Sequence, residues 1–203
     1  MVQKALKIGL TGGIGSGKTL ITRLFSLLNV PIFLSDIEAK NLYKDPNIRS
    51  KVIDLLGENS YIDGRLNKQY VSKTVFAEAT KLEQLNNIIH PAVRQRFTDW
   101  VAMQSSPYVI QESALIFETG IASLFDYTIL VTAPEEIRIA RVKQRDSSSR
   151  DQVIARIKHQ LSDDQKKSQA DHIIYNDGIE YLIPQVIDIH TQLLSVHESR
   201  QIV

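Results

Sequence analysis

The segment Gly12-Gly13-Ile14-Gly15-Ser16-Gly17-Lys18-Thr19 meets the spacing G-x-x-x-x-G-K-[ST] in full, and that set of residue types suits a bound polyphosphate. Glycines permit positive φ angles and close backbone approach, so successive N–H groups can turn inward around an anion. A helix starting at the end of the loop adds its partial positive charge at the same point. Lys18 is placed to reach the β- and γ-phosphates, and the Thr19 hydroxyl to ligate Mg²⁺. A glycine-rich turn that merely joins a strand to a helix is the plainer alternative, but it leaves Lys18 and Thr19 without a task.

The loop does not name a reaction, because motors, GTPases and small-molecule kinases share it. A GTPase needs Asp-x-x-Gly at a strand end and Asn-Lys-x-Asp for guanine. The first occurs only as Asp54-Leu55-Leu56-Gly57, where the apolar spacing is helical, and the second fails at Tyr70 after Asn67-Lys68-Gln69. Asp36 closes a short apolar run. As a carboxylate at the end of a strand beside the loop it can take the proton of an attacking hydroxyl or support Mg²⁺; as part of Ser35-Asp36 it can equally cap a helix from Ile37. Arg138, Arg141 and Arg145 recur at helical or near-helical spacing with Arg150 beyond. They read as a solvated face, or, with the serine-rich turn Arg145 to Asp151, as a lid that excludes water from a transferring phosphoryl group. His90-Pro91 reads as a helix break with a half-buried histidine, and Asn176-Asp177-Gly178 as a turn.

The elements that must position these residues alternate in kind. Leu6, Ile8 and Leu10 form a strand, and Leu20, Ile21, Leu24, Phe25 and Leu28 the following helix; Pro31 to Leu34 is a second strand, read as a parallel partner of the first. Ile37 to Met103 is almost purely helical and reads as an insertion. Strands return at Tyr108 to Gln111, Tyr127 to Thr132 and His172 to Tyr175, with helices between and an amphipathic helix at the end. About five strands thus alternate with helices. The 203 residues suffice for one core with a subdomain, and no cysteine is present for disulfide, thiolate or iron–sulfur chemistry. Twenty-four basic residues against 23 acidic leave no strong field, so the partner is expected to be small, with no nucleic acid and no membrane. The start Met1-Val2-Gln3 leads into a strand without a signal-peptide core, and a soluble cytoplasmic protein is expected.

Leu10-Thr11 with the phosphate loop, Ser35-Asp36, Ile89-His90-Pro91-Ala92-Val93, Leu115-Ile116-Phe117-Glu118, Arg141 with Arg145, Gln160, and Ala170-Asp171 leading to Asn176 together resemble the dephospho-CoA kinase family, in its order and approximate spacing. The resemblance implies an α/β P-loop NTPase three-layer fold with a central parallel five-stranded sheet. It implies one domain, 1–203, with a helical acceptor-binding insertion at about 42–103 and a lid at about 145–160. It implies transfer of the ATP γ-phosphate to the ribose 3′-hydroxyl of dephospho-coenzyme A, the last step of coenzyme A synthesis. The implied catalytic residues are Asp36 as base, with Lys18 and Arg141 stabilising the transferring group. ATP would be bound by Gly13, Ile14, Gly15, Ser16, Gly17, Lys18, Thr19, Arg145 and Asn176. The acceptor would meet Thr11, Asp36, Lys68, His90 and Glu118, and Mg²⁺ would meet Thr19. The expected state is a monomer, with a small homo-oligomer as the alternative.

Three positions depart from the family pattern. Leu34-Ser35-Asp36 stands where Asp-Ala-Asp is common, Ala114 where a proline is usual, and Lys68 where an arginine is frequent. Lysine keeps the charge but loses bidentate recognition of phosphate. Another small-molecule kinase, such as a nucleoside monophosphate kinase, and a non-enzymatic ATP-sensing module are the competing readings.

Overall fold

The computed structural model describes residues 4–200; Met1–Gln3, read above as leading into the first strand, lie outside the described residues. In chain order the elements begin with β1 (Leu6–Thr11), α1 (Lys18–Leu27), β2 (Ile32–Leu34), α2 (Ser35–Leu42) and α3 (Pro46–Leu56). There follow β3 (Tyr61–Ile62), β4 (Arg65–Leu66), α4 (Lys68–Ala77), α5 (Ala79–Ala102) and β5 (Tyr108–Glu112). The chain closes with β6 (Tyr127–Thr132), α6 (Glu135–Asp146), α7 (Arg150–Lys158), α8 (Asp163–Lys167), β7 (His172–Tyr175) and α9 (Leu182–Ser199). Contacts divide the chain into two compact units, Met1–Phe33 with Val101–Val203, and Leu34–Trp100.

The first unit is built on a parallel five-stranded sheet ordered β2-β5-β1-β6-β7. The expected pairing of Pro31–Leu34 with β1 is not what forms: β5 lies between them, in register with β1 from Leu6↔Tyr108 to Leu10↔Glu112. The physical reason is burial. Tyr108 to Gln111 are buried throughout and suit an interior strand, whereas β2 is three residues long and half-buried, as an edge strand can be. Leu6, Ile8 and Leu10 pack with Ile21 and Phe25 of α1 and Val186, Ile189 and Leu193 of α9. Burying side chains of this size is worth about 1.5–3 kcal/mol each. Strand ends are tied as well: Thr128 N–H and Oγ1–H both donate to Asp171 Oδ2, at 2.7 and 2.8 Å, which fixes where β7 starts.

The second unit is helical, with one exception that the sequence reading misses. Residues 61–66 form an antiparallel hairpin, Tyr61↔Leu66 and Ile62↔Arg65, turned by Asp63 (φ 48°) and Gly64 (φ 75°). Two positive φ values in succession are what a tight two-residue hairpin turn requires. A second correction concerns Pro91, expected to break the helix. It lies inside α5, which runs unbroken from Ala79 to Ala102. The lost backbone bond and ring clash cost about 3 kcal/mol, and the buried stripe of Leu85, Ile89, Val93 and Phe97 outweighs it. Asp54–Gly57 is likewise helical, Gly57 being the positive-φ residue after α3, so no GTPase-type Asp-x-x-Gly exists there.

Candidate functional site

β1 delivers the chain to the loop at Thr11, whose register with Leu130 sets it level with the C-terminal ends of β5 and β6. Parallel strands present their ligand crevice at those ends. Gly15 (φ 79°) and Gly17 (φ 101°) adopt conformations that L side chains resist, and Gly17 serves as the N-cap of α1. Within the loop Ser16 N–H donates to Gly13 O at 3.1 Å, while the N–H groups of Gly15, Gly17 and Thr19 meet no protein acceptor among the described residues. Amides left over at a helix start are the donors an anion needs. Lys18 Nζ donates to Gly12 O at 2.9 Å and stands 4.0 Å from Glu112 Oε1, which keeps the ammonium folded back over the loop. Thr19 is exposed, and the Oγ atoms of Thr11 and Ser16 are buried without a hydrogen-bond partner.

Asn176 is the second anchor of the loop. It is buried, and its Nδ2 donates to Ser16 O at 2.8 Å. Arg141 Nη2 in turn donates to Asn176 O at 3.0 Å and to its Oδ1 at 3.2 Å. The turn that follows is held by Asp177 Oδ1, which accepts from Ile179 and Glu180 N–H, and those bonds keep the Asp177 carboxyl below the usual range. Lys18, Arg141 and Asn176, expected from sequence to serve one site, are thus joined through the loop.

Two residues named from the sequence without an assigned role, Gln160 and Arg138, also reach the loop, together with Asp163 and Glu112, which sequence reasoning did not single out. Gln160 Oε1 accepts Ile14 N–H at 2.9 Å. Arg138 is 5% exposed, with Nη1 so close over Gly13 that a Cβ there would lie 2.0 Å from it. Arg138 Nη1 also donates to Asp163 Oδ1 at 2.9 Å, and Thr132 Oγ1 donates to Asp163 Oδ2 at 2.6 Å. Glu112, the last residue of β5, is the carboxylate beside Lys18. Thr132, Arg138, Gln160 and Asp163 border a cavity of about 480 Å³ that Pro134, Tyr175 and Asp177 also line.

Arg145 pairs with Asp146 at 2.7 Å and is exposed; Arg156 joins the same carboxylate at 3.2 Å, and Arg150 binds Glu136. Between them the serine-rich turn passes through Ser147 (φ 53°) and then caps α7, where Ser149 and Gln152 form a reciprocal capping box. Glu118 Oε1 stands 2.8 Å from the fully buried Lys166 ammonium and accepts Leu161 N–H at 3.1 Å.

Asp36, Lys68 and His90 belong to the other unit. Asp36 is exposed in the first turn of α2, which starts at Ser35 with Leu34 as N-cap and no capping side chain. The capping alternative for Asp36 is therefore removed, since the helix begins one residue before it. Lys68 is the exposed first residue of α4, and His90 is half-buried, with burial and then Arg94 lowering its pKa. Glu38 and Arg96, 3.2 Å apart, join α2 to α5 within this unit. Among the described residues no cluster of three or more His, Cys, Asp or Glu could form an all-protein metal cage, and no helix is long and apolar enough to cross a membrane.

Known proteins resemble this chain over most of its length. The family model for dephospho-CoA kinase matches residues 6–180. The dephospho-CoA kinase of Bacteroides fragilis is 41% identical over 187 residues, 91% of each chain. That of Salinibacter ruber is 39% identical over 176 residues, covering 84% of this chain and 88% of the relative. The crystal structure of TT1252 from Thermus thermophilus superposes with a TM-score of 0.83 at 27% identity, over 95% of this chain and 98% of that one. With the P-loop, its lysine and its anchoring asparagine already in place on a parallel α/β sheet, these matches establish that the chain belongs to the dephospho-CoA kinase family.

Proposed function

We propose that the chain transfers the γ-phosphoryl group of ATP to the ribose 3′-hydroxyl of dephospho-CoA, releasing CoA and ADP. The observation that carries the phosphotransfer reading is the loop itself: backbone amides without a protein acceptor at Gly15, Gly17 and Thr19, with Lys18 folded back onto Gly12 O. Family membership supplies the acceptor. In this reading Gly13 to Thr19 cradle the polyphosphate, Lys18 and Arg141 bear on the charge of the transferring group, and Arg145 belongs to the lid at about 145–160. Asp177, next to Asn176, lines the cavity beside the loop, which supports assigning that end to the nucleoside of ATP.

Asp36 takes the proton from the attacking hydroxyl as its oxygen bonds to phosphorus and the β–γ bridge oxygen leaves with ADP. Its exposure and lack of a capping task support that role. Lys68 and His90 are assigned to the acceptor, with Thr11 at the loop entrance. Mg²⁺ fits the oxygen groups present, namely the exposed Thr19 hydroxyl and the Glu112 carboxylate. With so few protein oxygens, such an ion would keep waters and borrow phosphate oxygens. When bound, it would neutralise charge on the β- and γ-phosphates. A cytoplasmic monomer using ATP and Mg²⁺ completes the reading.

The test is ADP release measured with dephospho-CoA, AMP, CMP or no acceptor, with the product identified by mass. Turnover that requires dephospho-CoA and adds one phosphoryl group to it is expected. Turnover of a nucleoside monophosphate without turnover of dephospho-CoA, or ATP binding with no acceptor-dependent ADP, overturns the assignment.

A further inference from the structure

We infer that the buried Lys166–Glu118 pair is a positioning device for the phosphate-binding loop, acting through Gln160; the inference rests on the phosphotransfer reading above. Lys166 has no exposed surface, and its Nζ lies 2.8 Å from Glu118 Oε1. An ammonium in such surroundings is tolerated only with a counter-charge, so α8 can dock only where Nζ meets Glu118. The same Oε1 accepts Leu161 N–H at 3.1 Å. Leu161 lies in the turn between His159, the C-cap of α7, and Ser162, the N-cap of α8. Glu118 therefore grips this turn twice, once through its backbone and once through the helix that follows.

Gln160 is the adjoining residue, and it is the one that touches the loop. Its Oε1 accepts Ile14 N–H at 2.9 Å and its Nε2 reaches Ala114 O at 3.5 Å. Fixing Leu161 fixes the direction in which Gln160 leaves the chain, and with it the orientation of the Gly13–Ile14 peptide. The pair is poorly built for stability alone. Glu118 Oε2 is buried with no hydrogen-bond partner, and the Nζ contact lacks the geometry of a directed hydrogen bond. Buried pairs with unmet groups are often no better than apolar residues of similar size. What this pair does supply is register, because no other placement of α8 satisfies its charge.

The test compares the full-length parent, Gln160→Ala, the apolar replacement Glu118→Leu/Lys166→Met, and all three changes together. ATP affinity is read by calorimetry without acceptor, and Tm in parallel. The apolar pair should keep Tm within a few degrees of the parent while weakening ATP binding by about tenfold, the effect of one well-placed hydrogen bond. Gln160→Ala should produce the same loss, and the triple variant no more than either. Parent-like affinity in the apolar pair, or a triple-variant loss equal to the product of the two, overturns the inference. Should the apolar pair fail to fold, amide exchange at Ile14 decides in its place. Glu118→Gln should speed that exchange, and unchanged protection refutes the role. Both readouts omit dephospho-CoA, so a failure of the acceptor assignment, seen in the parent's turnover, is distinguishable from a failure here.

Discussion

The Arg138–Asp163 pair makes an asymmetric prediction. Arg138 presents 6% of its side chain to solvent and Asp163 25%. Removing the carboxylate by Asp163→Ala strands a guanidinium whose Nε is already buried without a partner, and deprives Thr132 Oγ1 of its 2.6 Å acceptor. Breaking a buried pair from the side that leaves a charge behind costs about 3–5 kcal/mol. Removing the guanidinium by Arg138→Met is milder. The carboxylate left behind keeps the Thr132 bond and reaches water through its exposed quarter, and methionine retains much of the packing over Gly13, so the loss is about 1–2 kcal/mol. In a chain of this length each kcal/mol moves Tm by about 2–4 °C. Asp163→Ala should thus lower Tm by roughly 6–20 °C, and Arg138→Met by roughly 2–8 °C. Thermal unfolding followed by circular dichroism at pH 7 measures both. The order of the two variants is decisive: if Arg138→Met is as damaging as Asp163→Ala, the exposure argument is wrong.

Three further outcomes are expected. Asp36→Asn should leave ATP affinity nearly intact and lower kcat by about 10²–10⁴-fold; near-parent kcat with dephospho-CoA would return Asp36 to an ordinary surface residue. Gly17→Ala forces an L side chain to φ 101° and puts a Cβ 2.1 Å from Asn176 Nδ2, so it should detach Asn176 from Ser16 O and weaken ATP binding at least tenfold, about the cost of one left-handed residue. Parent-like calorimetry would refute this. His90 and His190 both have pKa values lowered chiefly by burial, and Tyr108, whose own pKa burial raises, shares a 2.7 Å hydrogen bond with His190 Nδ1. Between about pH 6.5 and the lower folded values the unfolded chain binds more protons. Stability is then fully present above that window and falls as pH drops through it. The His90→Gln/His190→Gln variant should show a flatter urea-unfolding profile from pH 7 to 5, and an unchanged slope would exclude these two groups.

What was legible in the sequence was what neighbouring residues decide. The loop, its strand and its helix lie within about one turn of each other along the chain, and the strands at Tyr127–Thr132 and His172–Tyr175 form where their β-branched runs lie. The hairpin at 61–66 escaped because two-residue strands carry no alternation to detect, although Asp63-Gly64 is itself a hairpin signal. Pro91 misled because local backbone chemistry argues for a break, while the decision rests on an apolar stripe extending well to either side of it. The arginines of α6 show the same division. Spacing treated Arg138, Arg141 and Arg145 alike and the family resemblance favoured the last two, yet Arg138 is the buried member, and the pattern did hold a clue: Arg138 shares the inward face with Ile139 and Val142.

A charged residue in an apolar stripe implies a buried partner but cannot name it. Asp163 lies 25 residues away from Arg138, and Glu118 lies farther still from Lys166. Both pairs form only because α8, which packs on β6, carries Asp163 to Arg138 and Lys166 to Glu118. Each pair thereby specifies a tertiary placement rather than a local conformation. If that is what they are for, replacing either pair whole should cost less stability than halving it, while changing how the phosphate loop is held. Activity lost without stability would then mark the residues that sequence spacing alone could not assign.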